Sequence, residues 1–246
     1  MRIMIFAHPI RLAVALLLCI VGMPAAAAVT GSYTAKYHIS YGAISLGDIT
    51  FSLAAGDTPD CYVFSGTGSP NLVVSMLVGD LAEESRFCMT AAGQVRPYYF
   101  QHYEKGDAEH SYSLQFDWAD QQVDYRNFED RTQTNSLPAA ATDPLSLQIA
   151  VRQWIDNTSN PPALDNRDFT LASKDKIKTY TLAVEDGGTI QVPGGSFDTV
   201  IVQRVDDTDK GMRFWLAEDA DWIPVKVERQ RSGRTITMEL TSLERE

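Results

Sequence analysis

Cations are scarce in this chain. Lys and Arg number 21 against 32 Asp and Glu, a formal charge of −11. A surface of that sign repels nucleic acid and anionic headgroups, which excludes a phosphate-tracking role. Cysteine occurs three times and histidine four. Neither recurs in a CxxC or HxxxH spacing, so no metal or other cofactor is expected. No G-x-S-x-G marks a nucleophile. Gly66-Thr67-Gly68-Ser69-Pro70 ends on proline where a dinucleotide loop needs amides aimed at phosphate, so it fails the glycine fingerprint and reads as a turn. Long hydrophobic runs are missing too, except for one at the N-terminus.

That run has the parts of a secretory signal. Arg2 and Arg11 flank a charged region, Leu12 to Met23 is almost unbroken apolar sequence, and Ala26-Ala27-Ala28 gives the small-residue cleavage pattern. At about 12 residues the run is short for a bilayer-spanning helix, which needs roughly 20. The expectation is cleavage after Ala28, a mature chain of residues 29–246 forming a single β-rich domain, a periplasmic location and no membrane span. Leu18 before Cys19 is not small, which argues against lipid anchoring. Cleavage removes Arg2, Arg11 and no acid, taking the formal charge to −13. Cys61 and Cys88 survive it and meet an oxidising compartment, so a disulfide is expected, with two buried thiols as the alternative. Closing that loop would stabilise the fold by about 3–4 kcal/mol on the chain-entropy model.

Beyond residue 30 the chain alternates with period two. Tyr33, Ala35, Tyr37, Ile39 and Tyr41 oppose Thr34, Lys36, His38 and Ser40; His110, Tyr112, Leu114, Phe116 and Trp118 oppose Ser111, Ser113, Gln115 and Asp117. One-sided strands of this kind form antiparallel sheet. Turn residues break the runs at Gly56-Asp57, Gly66 to Pro70, Ala92-Gly93, Gly106-Asp107, Asp186-Gly187-Gly188, Pro193-Gly194-Gly195, Asp209 to Gly211 and Ser232-Gly233. Gly47, inside Ile44 to Leu53, predicts a bulge. One segment differs: Asp143-Pro144 resembles an N-cap and first helical position, and Leu145 to Ile155 is apolar around most of its circumference. A short helix around Asn71 to Leu77 competes with a strand there. The expected fold is mainly β: a strongly curved antiparallel sheet forming a closed or half-open barrel of about 10–12 strands packed on one buried helix. A membrane barrel shares the alternation, but the internal apolar helix and short strands argue against it.

Chemistry-bearing residues are sparse. His102 and His110 flank Gly106, so a hairpin there could bring them together beside Glu104 and Glu109, though the parity of the turn decides whether they share a face. Glu83-Glu84, Glu129-Asp130 and Asp206-Asp207 read as solvated strand faces. Lys226, Arg229, Arg231 and Arg234 read as partners of acidic neighbours, with an anion site as the alternative. Aromatics cluster over three consecutive strands. Of these, Tyr99, Tyr103, Tyr112, Phe116 and Trp118 are the candidate ligand-binding residues, with core packing as the alternative.

Further motifs carry a family resemblance: Gly195 to Val200, Phe214 to Ala217, Trp222 to Lys226, the tyrosine-rich run from Tyr33 to Gly47, Ser85-Arg86-Phe87 and the Asp143-Pro144-Leu145 helix start. With them the chain resembles the domain of unknown function family numbered 3108. The resemblance implies an exported protein of a Gram-negative bacterium and supplies no catalytic residue. The leading functional expectation is a soluble, non-enzymatic periplasmic protein that binds an apolar or amphipathic ligand, a lipid or an envelope component, in envelope upkeep. The alternatives are a filled interaction module that recognises an envelope protein and, less favoured, a hydrolase acting on an envelope polymer.

Overall fold

The computed structural model describes residues 31–71, 80–205, 211–231 and 233–246. The signal segment, most of the helix expected over Asn71 to Leu77, the Asp206-Asp207 pair and Asp209-Lys210 of the expected turn lie outside the described residues. Alternating sequence becomes strand throughout: β1 (Tyr33–Tyr41), β2 (Ile44–Ala55), β3 (Cys61–Pro70), β4 (Leu81–Met89), β5 (Val95–Glu104), β6 (Asp107–Asp117), β7 (Gln122–Asn127) and β8 (Thr132–Ser136). After the two-residue β9 (Ala141–Thr142) and the helix α1 (Ser146–Asp156) come β10 (Arg167–Ser173), β11 (Lys176–Val192), β12 (Gly195–Arg204), β13 (Met212–Ala217), β14 (Ile223–Arg231) and β15 (Arg234–Arg245). All fifteen belong to one sheet. Its order runs from β8 down to β1, crosses to β15, and runs down again to β9.

The β1–β15 pair, in register from Tyr33↔Arg245 to Tyr41↔Ile236, welds the two halves of the chain into one surface. Pairing is antiparallel except between β10 and β9. The sheet is curved but not closed, because β8 and β9, its two edges, do not pair. The closed form of the expected barrel is therefore corrected, and the strand number exceeds the expected 10–12. The cause is local. Chain leaving β8 turns at Pro138, whose carbonyl accepts from the Ala141 amide, and Ala141 then aligns parallel to Thr170 on β10. Facing β8 is the β10–β11 turn, met by side chains rather than a backbone ladder: Gln133 Nε2 and Asn135 Nδ2 donate to the Asp175 carbonyl at 3.0 and 3.4 Å.

Glycine plays two roles in this sheet. Gly47, at φ +137°, lies at the β1–β2 register shift, and a Cβ there would meet the Ser69 carbonyl at 2.4 Å. That is the predicted bulge. Gly66 is different. The expected turn from Gly66 to Pro70 does not exist, because β3 runs straight through it. A Cβ at Gly66 would meet Phe51 Cε1 at 2.6 Å, so the glycine is there to let an aromatic ring lie on the neighbouring strand. Asp186-Gly187-Gly188 is likewise a bulge inside β11 rather than a turn.

The inner face carries one large core cluster that includes Phe64, Phe87, Phe100, Leu114 and Phe116, each 4% exposed or less. Leu145 and Ile149, from the start of α1, belong to it. Val151, Trp154 and Ile155 join a second cluster with Val184, Val200, Val202, Leu216 and Trp222. No helix among the described residues is long and apolar enough to cross a membrane. Cys61 and Cys88 sit opposite each other on β3 and β4, with Cα atoms 3.9 Å apart, and form the expected disulfide.

Candidate functional site

Polar side chains inside a curved sheet are costly unless partnered. Among the described residues every buried side-chain nitrogen or oxygen has a hydrogen-bond partner. Three inner arrangements account for much of this. The first starts at Asp143, which is fully buried. Its Oδ1 accepts from the amides of Leu145 and Ser146 at 2.8 and 2.9 Å, while Ser146 Oγ accepts from the Asp143 amide. These are the reciprocal bonds of a helix cap. Oδ2 accepts from Ser85 Oγ of β4 at 2.6 Å, tying the helix start to the sheet. Burial pushes this carboxyl up to about 6, against the opposing pull of Ser85 and Ser146.

The second is His102, whose Nδ1 and Nε2 lie 2.8 and 3.1 Å from carboxylate oxygens of Glu83 and Glu104. Two acceptors require two N–H donors, which only the imidazolium supplies. Desolvation lowers the pKa of the ring, but bonds and charges from Glu83 and then Glu104 outweigh it, and the net shift is upward. The ring stacks on Tyr112 at 5.4 Å, and the Tyr112 hydroxyl reaches Ser173 Oγ on β10 at 3.3 Å. Burial pushes Tyr112 up to about 12. This cluster ties β4, β5, β6 and β10 together. It lacks a polarised nucleophile, and no group of described residues could hold a metal. The third is Arg152 of α1, which donates to the Asp221 carbonyl at 2.9 Å and to the Tyr33 hydroxyl at 3.4 Å.

The outer face of β3, β4 and β5 is built otherwise. Cross-strand register sets Ser65 beside Glu84 and Glu84 beside Gln101, while Arg86 pairs with Tyr99. A third row, Thr67 and Ala82, puts a small side chain in its middle. The result is an open groove of about 490 Å³ lined by these residues and by Glu83. Arg86 Nε donates to Glu84 Oε1 at 2.7 Å and its guanidinium lies 5.6 Å from the Tyr99 ring. The Tyr99 hydroxyl donates to Gln101 Oε1 at 2.5 Å. Tyr99 is held above its usual pKa, first by desolvation and then by Glu84.

The five candidate aromatics divide between the two faces. Tyr99 and Tyr103 point outward, Tyr99 into the groove and Tyr103 against Phe128 at 5.8 Å. Tyr112 and Phe116 are buried in the core. Trp118 lies half-buried in the turn after β6, stacked on Phe116, and its Nε1 donates to the Pro97 carbonyl. His102 and His110 do not meet: the β5–β6 register shift leaves His102 opposite Tyr112, and His110 bonds Asp107 in solvent. Of the basic cluster, Lys226 pairs with the acidic neighbour Glu228 at 2.7 Å. Side chains of Arg231 and Arg234 lie outside the described residues. Residue-by-residue reading missed Arg86, Glu84 and Gln101 in the groove, and Arg152 in the core; a charge on an otherwise apolar helix was the available signal for the last.

Comparison with known proteins bears on this geometry. The model of the family described as protein of unknown function (DUF3108) matches residues 36–241. No curated protein matches the chain. Among solved structures, the crystal structure of a β-barrel-like protein of the domain of unknown function DUF1849 from Brucella abortus is similar, at 12% identity with a TM-score of 0.53. The match covers 88% of this chain and 98% of that one. A likeness at that identity concerns the fold.

Proposed function

The chain belongs to the DUF3108 family, and from that premise we propose that it is an exported, non-catalytic recognition module of the cell envelope, binding a polar envelope component in the groove over β3, β4 and β5. One observation carries the reading. The inner face of these strands is occupied by Phe64, Phe87 and Phe100, all buried, while the outer face offers an open, polar, partly aromatic depression. An apolar or amphipathic ligand on the inner face of these strands would have to displace those rings. The interaction-module alternative needs no such displacement.

Export rests on the signal pattern and is supported by the Cys61–Cys88 disulfide, a bond that persists in oxidising compartments. The test is co-sedimentation of the mature protein with isolated cell envelopes, alongside mass spectrometry of the exported chain. The expected results are a mature N-terminus at Val29 and retention on the envelope that falls at least ~10-fold in Arg86→Ala. Equal retention of Arg86→Ala at wild-type stability would sink the groove as the binding surface.

A further inference from the structure

We infer that the groove ligand is a neutral carbohydrate chain, an inference that rests on the recognition reading above. Charge is the first argument. Glu84 and Arg86 neutralise each other within the groove at 2.7 Å. Glu83 also borders the groove with its carboxylate paired to His102, so each charge of the lining has a partner, which disfavours a phosphate, a polyanion or a basic segment.

Hydrogen-bonding capacity is the second argument. Ser65, Glu84 and Gln101 stand side by side on three neighbouring strands, and Ser113 extends that row onto β6. The row combines hydroxyls that donate and accept, a carboxylate that only accepts, and an amide that does both. Vicinal hydroxyls of a sugar, each donor and acceptor at once, match that mixture. An extended peptide presents one donor and one acceptor per residue along its edge and needs a free strand edge, whereas β4 is paired on both sides.

Aromatic surface is the third. Tyr99 lies in the row next to these polar groups and brings an aromatic ring into the lining. A sugar ring has polar edges and C–H faces, so it fits a lining that sets the Tyr99 ring beside planar polar groups. A volume of about 490 Å³ lies within the range of small-ligand sites.

The test is titration of the oxidised mature protein with soluble tetrasaccharides of glucose and of N-acetylglucosamine, followed by amide chemical shifts. Inorganic phosphate and tetra-alanine serve as the anionic and peptidic probes. The expected result is saturable, millimolar binding of at least one tetrasaccharide, with shifts centred on β3, β4 and β5. Tyr99→Ala and, independently, Gln101→Ala should each weaken it at least ~10-fold while leaving the spectrum otherwise folded. Phosphate or tetra-alanine binding there in place of the saccharides would overturn the carbohydrate class. So would no saccharide binding while envelope retention still depends on Arg86, which leaves the recognition reading standing. Loss of both dependences would remove the two together.

Discussion

Along β4, Ser85 and Phe87 are fully buried, whereas Glu84 and Arg86, one residue away from each, form the wall of an open groove with side chains 37% and 50% exposed. The same three strands thus hold the fold with one face and leave an open polar groove on the other. The difference teaches that the polar content of the two faces does different work. Inner polar groups are each spent on a partner: Ser85 on Asp143, Glu83 on His102, Tyr112 on Ser173. Outer ones bond their neighbours at the surface, where water or a ligand can replace the exchange at little cost.

Substitutions sharpen that contrast, and the inner face should respond most. Phe100→Ala deletes a fully buried ring between β4 and β6 and should cost about 3–5 kcal/mol in urea unfolding. Removing the disulfide with Cys61→Ala and Cys88→Ala together should cost about 2–4 kcal/mol, read the same way against the oxidised parent.

The buried carboxylate gives a pH-dependent signature. Asp143 is raised from 3.8 to about 6 in the fold, so the folded state holds its proton more tightly than the unfolded one. Its contribution is complete below the unfolded value and is lost as pH rises through the folded one, a change of about 3 kcal/mol between roughly pH 4 and 6. Asp143→Asn keeps an acceptor for the cap and should flatten stability across that window. His102 acts in a separate window. Its raised pKa means that stability present below about 6.5 is lost as pH rises through the higher folded value. His102→Gln should abolish that second slope and leave the Asp143 slope intact. Smallest of all, Tyr99→Ala on the outer face should change stability by about 1 kcal/mol or less. A loss comparable to that of Phe100→Ala would break the comparison, making the groove part of the fold's support.

Much of the fold was legible in the residues. Alternation in Tyr33 to Tyr41 fixed a one-sided strand, Asp143-Pro144 marked the helix start, and Gly47 marked a bulge, because each signal is local. Gly66 and Gly187-Gly188 were misread because glycine serves both turns and close approach. What distinguishes the two uses is a partner across the sheet: the Phe51 ring for Gly66, Thr199 for Gly187. The His102 cluster was hidden for a related reason. Glu83 lies opposite His102 only after the register shift between Arg86 and Phe87, and a one-residue slip moves every side chain to the other face. The two edges escaped as well, since whether β8 meets β9 depends on four residues around Pro138. In the groove, Tyr99 was singled out because it is aromatic; Glu84, Arg86 and Gln101 come together only once β3, β4 and β5 lie side by side.

The most direct test of the division between faces is site-specific photo-crosslinking in cells that produce the protein. A benzophenone side chain is placed at position 101 in the groove and, as a control, at exposed position 178 on β11. The account predicts discrete, light-dependent adducts from position 101 and none from position 178. Equal labelling from both, or no adduct at 101, would contradict it.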